Sequence, residues 1–120
     1  MLSNRLINTK TYREEEREIC EKAFRIGDKF YELRLNISTD YSHVYDQTGK
    51  KLMSYDSSCN ALSVEGKRIG SLSMSYLNHK AHWSYTTTID GQEVTKEVPG
   101  SLPFNCEVEL AKLLIEKGII

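Results

Sequence analysis

Apolar and polar residues alternate through most of the 120-residue chain. Within residues 30–37, Leu33 and Leu35 fall on one side of an extended chain. Glu32 and Arg34 fall on the other side, and this period of two is typical of a half-buried strand. The same alternation predicts further strands at residues 41–46, 51–55, 61–64, 67–77, 81–89 and 92–98.

Glycine-containing turns join the later strands into three antiparallel hairpins. The turns lie at 46–49, 65–66 and 90–91, and in each a glycine supplies the positive φ that a hairpin turn needs. Asp90-Gly91 is the strongest of the three signals, because a two-residue turn also determines the register of the strands on either side. The predicted pairs are Ile89 with Gln92, Thr87 with Val94, Tyr85 with Lys96, and Trp83 with Val98.

The spacing of apolar residues changes to a helical period near the start of the chain. Ile19, Ala23 and Ile26 recur at intervals of four and three residues, which puts them on one face of a helix. A capping-box sequence precedes them at 11–14. The pattern predicts a helix over residues 11–26, ended by the glycine that follows it.

A second helix is predicted at the other end of the chain. Pro99-Gly100 stops the sheet, and Pro103 is tolerated in the first turn of a helix. Val108, Ala111 and Ile115 then follow at helical spacing and form an apolar stripe.

These elements predict a single α+β domain over residues 1–120. Its N-terminal helix is followed by an antiparallel β-meander of about five to seven strands and by a C-terminal helix packed on one sheet face. A two-layer arrangement of this kind buries the apolar face of the sheet and leaves the hydroxyl-rich face open to solvent.

Composition and charge narrow the class of protein. Hydrophobic residues make up 39% and charged residues 28% of the chain, which are values of a globular domain. The formal net charge of −1 gives no electrostatic reason to expect nucleic acid or an anionic membrane as a partner. The start lacks the apolar segment of a secretion signal, and an odd number of cysteines suits reduced thiols. We therefore expect a cytoplasmic protein.

Catalytic and metal-binding signals are weak. His79 and His82 have the spacing of two metal ligands, but no cysteine or acidic residue lies near them in sequence, so no metal or cofactor is expected. Cys59 is the one thiol in a predicted loop and would be the nucleophile of a Cys/His-dependent enzyme. No nucleophile elbow or phosphate-binding glycine loop is present, and the sequence predicts no enzyme.

A tyrosine- and serine-rich surface is the most informative feature. Tyrosine supplies rigid amphipathic contact area, and serine supplies adaptable hydrogen bonds, so together they suit recognition of a protein. The candidate binding residues are Tyr45, Tyr55, Ser73, Ser75, Tyr76, His82, Ser84 and Thr86.

Three hypotheses follow from this surface and from the weak catalytic signals. The first is a non-enzymatic binding protein acting on a protein partner, such as an inhibitor, a counter-defence factor or an immunity factor. The second is a small-molecule-binding protein with a nucleotide-like or sugar ligand, because tyrosines beside a sheet can stack on a base or sugar. The third is an enzyme that uses Cys59 or His82. An open meander also leaves edge strands that need cover, which predicts a homodimer.

Overall fold

The computed structural model describes residues 18–120, and these residues form one eight-stranded antiparallel sheet and one α-helix. The strands follow one another across the sheet in chain order, so each strand forms a hairpin with the next. The elements are β1 (Glu18–Ile26), β2 (Lys29–Asn36), β3 (Tyr41–Asp46), β4 (Lys51–Asp56), β5 (Ala61–Val64), β6 (Lys67–Leu77), β7 (Lys80–Ile89), β8 (Gln92–Val98) and α1 (Pro103–Glu116).

The three predicted hairpins are confirmed. Asp90 and Gly91 both adopt positive φ, at 53° and 77°, as a two-residue hairpin turn of mirror-image type requires. The register of β7 and β8 runs from Ile89 opposite Gln92 to Trp83 opposite Val98, as the turn predicts. Alternating hydrophobicity and turn chemistry are local properties, and here they agree with the final structure.

The predicted N-terminal helix is wrong where the structure can test it. Residues 11–17 lie outside the described residues, and Glu18–Ile26 is the strand β1, paired antiparallel with β2. The chain therefore forms a mainly β structure with a single helix in its described part, rather than a sheet between two helices.

A β-bulge accounts for part of the helical spacing in β1. Ile19 lies opposite Leu35 and Lys22 lies opposite Leu33, with the register shift between Cys20 and Lys22. Residues directly opposite each other share a sheet face, so Ile19 shares a face with Ile26, which lies opposite Lys29, although the two are seven residues apart. Ala23 lies opposite Glu32 and projects from the other face. A bulged strand can thus imitate the spacing of a helix.

Gly27 takes the predicted left-handed conformation in a different context. Its φ is 62°, and it lies between Ile26 and Lys29, which pair directly across the β1–β2 hairpin. Glycine is favoured as the first residue of a type II′ turn, and Gly27-Asp28 has that order. The glycine therefore reverses a strand instead of ending a helix.

Helix α1 covers one face of a curved sheet. It contacts β1 and β2 at one end of the strand order and β7 and β8 at the other. The sheet must curve round the helix to allow contacts at both ends. We call the covered side the inner face, and its buried side chains include Leu33, Val44, Met53, Tyr55, Leu62, Leu72 and Tyr85.

The opposite side is the outer face, and no helix of the described residues covers it. The hydroxyl-rich strands therefore lie as predicted, with Ser73 and Ser75 exposed and Leu33 and Leu72 buried. Within residues 18–120, no helix has the length and apolar character needed to cross a membrane.

Candidate binding surface

A row of hydroxyl groups runs across β6, β7 and β8 on the outer face. Ser73 lies opposite Ser84, and their Oγ atoms are 2.9 Å apart. Thr86 lies opposite Thr95, and their Oγ1 atoms are also 2.9 Å apart. Each hydroxyl thus has a partner on the neighbouring strand, and the row is held in place by its own hydrogen bonds.

His82 ends this row near the tip of the β6–β7 hairpin. Its ring lies across from Ser75, and its Nδ1 is 3.1 Å from Oε2 of Glu97 on β8. Both side chains are partly exposed, so the pair is a surface contact between a histidine and a carboxylate. The outer face of β6–β8 therefore combines hydroxyl groups with one carboxylate–imidazole pair.

A second cluster lies on the outer face of β1–β4 and is aromatic and charged. Tyr41, His43 and Tyr45 alternate along β3, so all three project from the same face. The Arg34 guanidinium carbon lies 4.4 Å from the centre of the Tyr45 ring, a cation–π distance. The Tyr45 hydroxyl donates a hydrogen bond of 2.8 Å to Oε2 of Glu18.

His43 is the half-buried centre of this cluster. Its ring stacks on Tyr41 with centroids 6.0 Å apart, and its Nδ1 lies 2.8 Å from Oγ of Ser54. Burial, together with the positive charge of Lys51, lowers the pKa of His43 to about 4. The imidazole is therefore neutral at pH 7 and serves as a polar aromatic surface rather than a cation.

An open groove of about 600 Å³ lies beside the tip of the β6–β7 hairpin. Its lining includes Tyr76 and His82 of the β6–β7 hairpin and residues 99–101 of the loop before α1. The Trp83 indole N–H donates a hydrogen bond of 3.2 Å to the carbonyl oxygen of Ser101, which holds the loop against β7.

Five of the eight predicted binding residues lie together. Alternation and the β6–β7 register place them on the outer face of β6 and β7. These five residues are Ser73, Ser75, His82, Ser84 and Thr86.

The three predicted tyrosines are dispersed. Tyr45 lies on the same face but four strands away from β7, roughly 19 Å at normal strand spacing. Tyr76 projects from the inner side at the hairpin tip. Tyr55 belongs to the core, where 3% of it is exposed and its hydroxyl donates to Asn60 Oδ1 at 2.7 Å. A tyrosine-lined surface on one sheet patch is therefore not formed.

The thiols show no activated arrangement in the part of the chain that the structure describes. Burial raises the pKa of Cys106 to about 11, and burial followed by the charge of Glu32 raises the pKa of Cys20. Cys59 is exposed, as the loop prediction implies. No hydrogen bond joins a cysteine to a histidine in residues 18–120, and no group of three metal-ligating side chains occurs there.

The sequence arguments missed two features. The aromatic cluster had a signal in the i, i+2 spacing of Tyr41, His43 and Tyr45 within a predicted strand. The second feature is the buried carboxyl of Glu107, which lies at helical spacing from the buried Ala111 and Leu114. Its position in the apolar stripe was visible in the sequence.

Comparison with known proteins gave no relative. No protein-family model matches the chain, and no similar curated protein or solved structure was found.

Proposed function

We propose that the chain is a non-enzymatic binding module that contacts a protein partner through the outer face of its sheet. The observation that carries this proposal is the hydrogen-bonded hydroxyl row of β6–β8 on a face that no described helix covers. The proposal places the centre of contact at Ser84, between Ser73 and the His82–Glu97 pair.

Pre-organisation of these side chains supports the proposal. A side chain that is already held loses less conformational freedom when a partner binds. Ser73 and Ser84 hold each other, as do Thr86 and Thr95, and each hydroxyl retains a lone pair or a hydrogen for a partner. Such a surface suits recognition of a polar protein surface better than it suits catalysis.

The aromatic cluster on β1–β4 extends the same face. Arg34 stacks on Tyr45 and also forms an ion pair of 2.9 Å with Glu32, so its charge is partly neutralised before binding. Tyrosine and arginine are enriched among residues that dominate binding energy at protein interfaces. Tyr45 is only 9% exposed beneath Arg34, so Tyr41 and Arg34 are the accessible part of the aromatic half of the proposed contact surface, beside its hydroxyl half.

Affinity capture from the native host tests the proposal when it is run with matched variants. Ser84→Arg places a long charged side chain in the middle of the hydroxyl half. Gln92→Arg adds the same group at an exposed position in the β7–β8 turn region and serves as the control. We expect a stoichiometric protein that binds the wild type and the Gln92 variant and is lost with the Ser84 variant.

Two results would contradict this proposal. One is the absence of any stoichiometric protein in the wild-type capture. The other is a captured protein that binds the Ser84 variant as well as the wild type.

A small-molecule ligand is the second candidate, and the groove beside the hairpin tip favours it. Its volume lies within the usual range for ligand pockets, and His82 and Tyr76 offer hydrogen bonding and stacking to a nucleotide-like or sugar ligand. Native mass spectrometry of freshly purified protein, with a thermal-shift panel of nucleotides and sugars, tests this candidate. A clean apo mass with no thermal shift removes it.

A further inference from the structure

Within residues 18–120, the long strand β6 has an unpaired edge near the hairpin tip. Its pairing with β5 ends at Ser71, although the strand continues to Leu77. The Leu72 amide donates to the Asn60 carbonyl at 3.0 Å and is the last backbone contact on that side among the described residues. Residues 73–77 are held by β7 alone in this part of the structure.

The direction of the free backbone groups follows from the Leu72 hydrogen bond. Alternate residues of an antiparallel strand direct their N–H and C=O groups to the same side. Met74 and Tyr76 therefore direct their backbone N–H and C=O groups to the same side as Leu72, away from β7. Both residues thus offer a donor and an acceptor to an added strand.

The side chains on this segment are unusually apolar for an exposed edge. Met74 is 47% exposed, Tyr76 72% and Leu77 61%, so three large apolar residues lie exposed within four positions. Natural edges usually carry charges, prolines or bulges that discourage pairing. From Ile69 to Asn78 the sequence has neither a charged residue nor a proline.

The terminal strands of the sheet differ in this respect. β1 carries Glu18, Glu21, Lys22 and Arg25 and is interrupted by its bulge. β8 carries Glu93, Lys96 and Glu97. Charge protects both of these edges and a bulge also protects β1, whereas the β6 edge has neither protection.

We propose that two copies of this chain pair through the β6 edge, antiparallel and about a two-fold axis at Ser75. In this register Met74 faces Tyr76 of the other copy, and the two equivalent pairs give about four backbone hydrogen bonds. Because residues 73–77 of both copies are uncharged, pairing them brings no like charges together. The symmetric contact also closes on itself and yields a dimer instead of a fibre.

The side-chain directions agree with this register. Met74 and Tyr76 both project from the inner side of the hairpin, so the thioether of one copy lies beside the ring of the other. Ser75 meets Ser75 of the other copy on the outer side, as a pair without direct backbone hydrogen bonds. The outer faces of the two copies then form one continuous surface.

Cysteine cross-linking tests the register directly. In a background with the exposed Cys20 and Cys59 replaced by serine, we expect Ser75→Cys to form a disulfide-linked dimer under mild oxidation. Its Cβ atoms would lie about 5 Å apart across the axis. Ser73→Cys is the matched control, because its two copies would be about 13 Å apart along the strands and should stay unlinked.

The solution mass gives an independent test. Light scattering of the unmodified protein at micromolar concentration should give twice the monomer mass of 13.8 kDa. The double variant Met74→Lys/Tyr76→Lys should raise the dimer dissociation constant more than about tenfold, while Gln92→Lys leaves it unchanged. Thermal unfolding of each variant verifies that it folds.

Three outcomes would overturn the proposal. They are a monomeric mass at high micromolar concentration, a dimer that the two lysines do not weaken, and equal cross-linking at positions 73 and 75. The test does not depend on the proposed function, since a dimer can form without any other partner and the outer face can bind one as a monomer.

Discussion

The hydroxyl of Ser42 on β3 donates a hydrogen bond to Oε1 of Glu107 in helix α1, while Oε2 of the same carboxyl is buried and has no hydrogen-bond partner among residues 18–120. Glu107 is 1% exposed. Burial disfavours the charged form and raises the pKa of Glu107 to about 7, although the Ser42 hydrogen bond opposes this rise. A titratable group thus lies at the contact between the helix and the sheet.

Glu107 should make the protein less stable as the pH rises. The unfolded carboxyl has a pKa of 4.5 and the folded one about 7, so the folded state binds the proton more tightly. Its stabilising contribution is complete below 4.5 and is lost as the pH rises through 7. We expect Glu107→Gln to raise the free energy of unfolding by up to about 3 kcal/mol at pH 8. Urea unfolding at pH 5 and pH 8 measures the free energy of unfolding of the wild type and the variant. Glu116→Gln removes a carboxyl at an exposed position of the same helix and is the control. A Gln variant that is less stable at both pH values would disprove the argument.

His43 should act in the opposite direction. Its folded pKa of about 4 lies below the ordinary value of 6.5, because burial and Lys51 disfavour the imidazolium. The unfolded state therefore binds the proton more tightly, and the stability contributed by neutral His43 is lost as the pH falls from 6.5 towards 4.

Proton NMR checks the state of His43. We expect its ring resonances to stay unchanged between pH 7 and 5, and His43→Gln to reduce the loss of stability over that interval. A midpoint near 6.5 for His43 would show that its ring is not held in the half-buried position.

The turn between β6 and β7 should be strained. Asn78 and His79 have φ values of 53° and 63°, although neither is glycine. Asparagine tolerates this region, whereas histidine there costs of the order of 1 kcal/mol relative to glycine. We therefore expect His79→Gly to raise the free energy of unfolding by about 1 kcal/mol. The matched control is Gly91→Ala, which should lower it, because Gly91 has a φ of 77°. A loss of stability in the His79 variant would indicate that its side chain stabilises the tip.

Gly70 should not accept a side chain. A Cβ at this position would lie 2.2 Å from the backbone carbonyl oxygen of Thr86, and backbone atoms cannot rotate away. We expect Gly70→Ala to lower the free energy of unfolding by about 1–3 kcal/mol through overpacking. Ser71→Ala, on the next residue of β6, is the control and should change stability little. Chemical denaturation of both variants makes the comparison, and equal stabilities would contradict it.

Several elements of the fold were predictable because they depend on neighbouring residues alone. The strands from β2 to β8 follow from alternation, and the β7–β8 register follows from Asp90-Gly91. Helix α1 follows from Pro103 and the apolar stripe after it. Each of these signals is complete within about fifteen residues of sequence.

The nature of β1 was not predictable in the same way. Its bulge gives Ile19 and Ile26 a common face seven residues apart, which is also the spacing of two helical turns, so periodicity alone favours the wrong element. The Gly27-Asp28 turn was the available counter-signal, but glycine also ends helices and does not decide between the two. Pairing with Leu33 and Leu35 of β2 decides it.

The sequence by itself determined the hairpins, the final helix and the separation of the hydroxyl side chains from the apolar ones, since all of these arise from local spacing. Only the tertiary structure decided that the sheet curves round α1, that Tyr55 is buried on the inner face while Tyr45 is buried on the outer face, and that β6 extends beyond β5. These features depend on which strands meet and how far each one runs. Such contacts join residues that are far apart in the chain, and the spacing of apolar residues within one segment does not predict them.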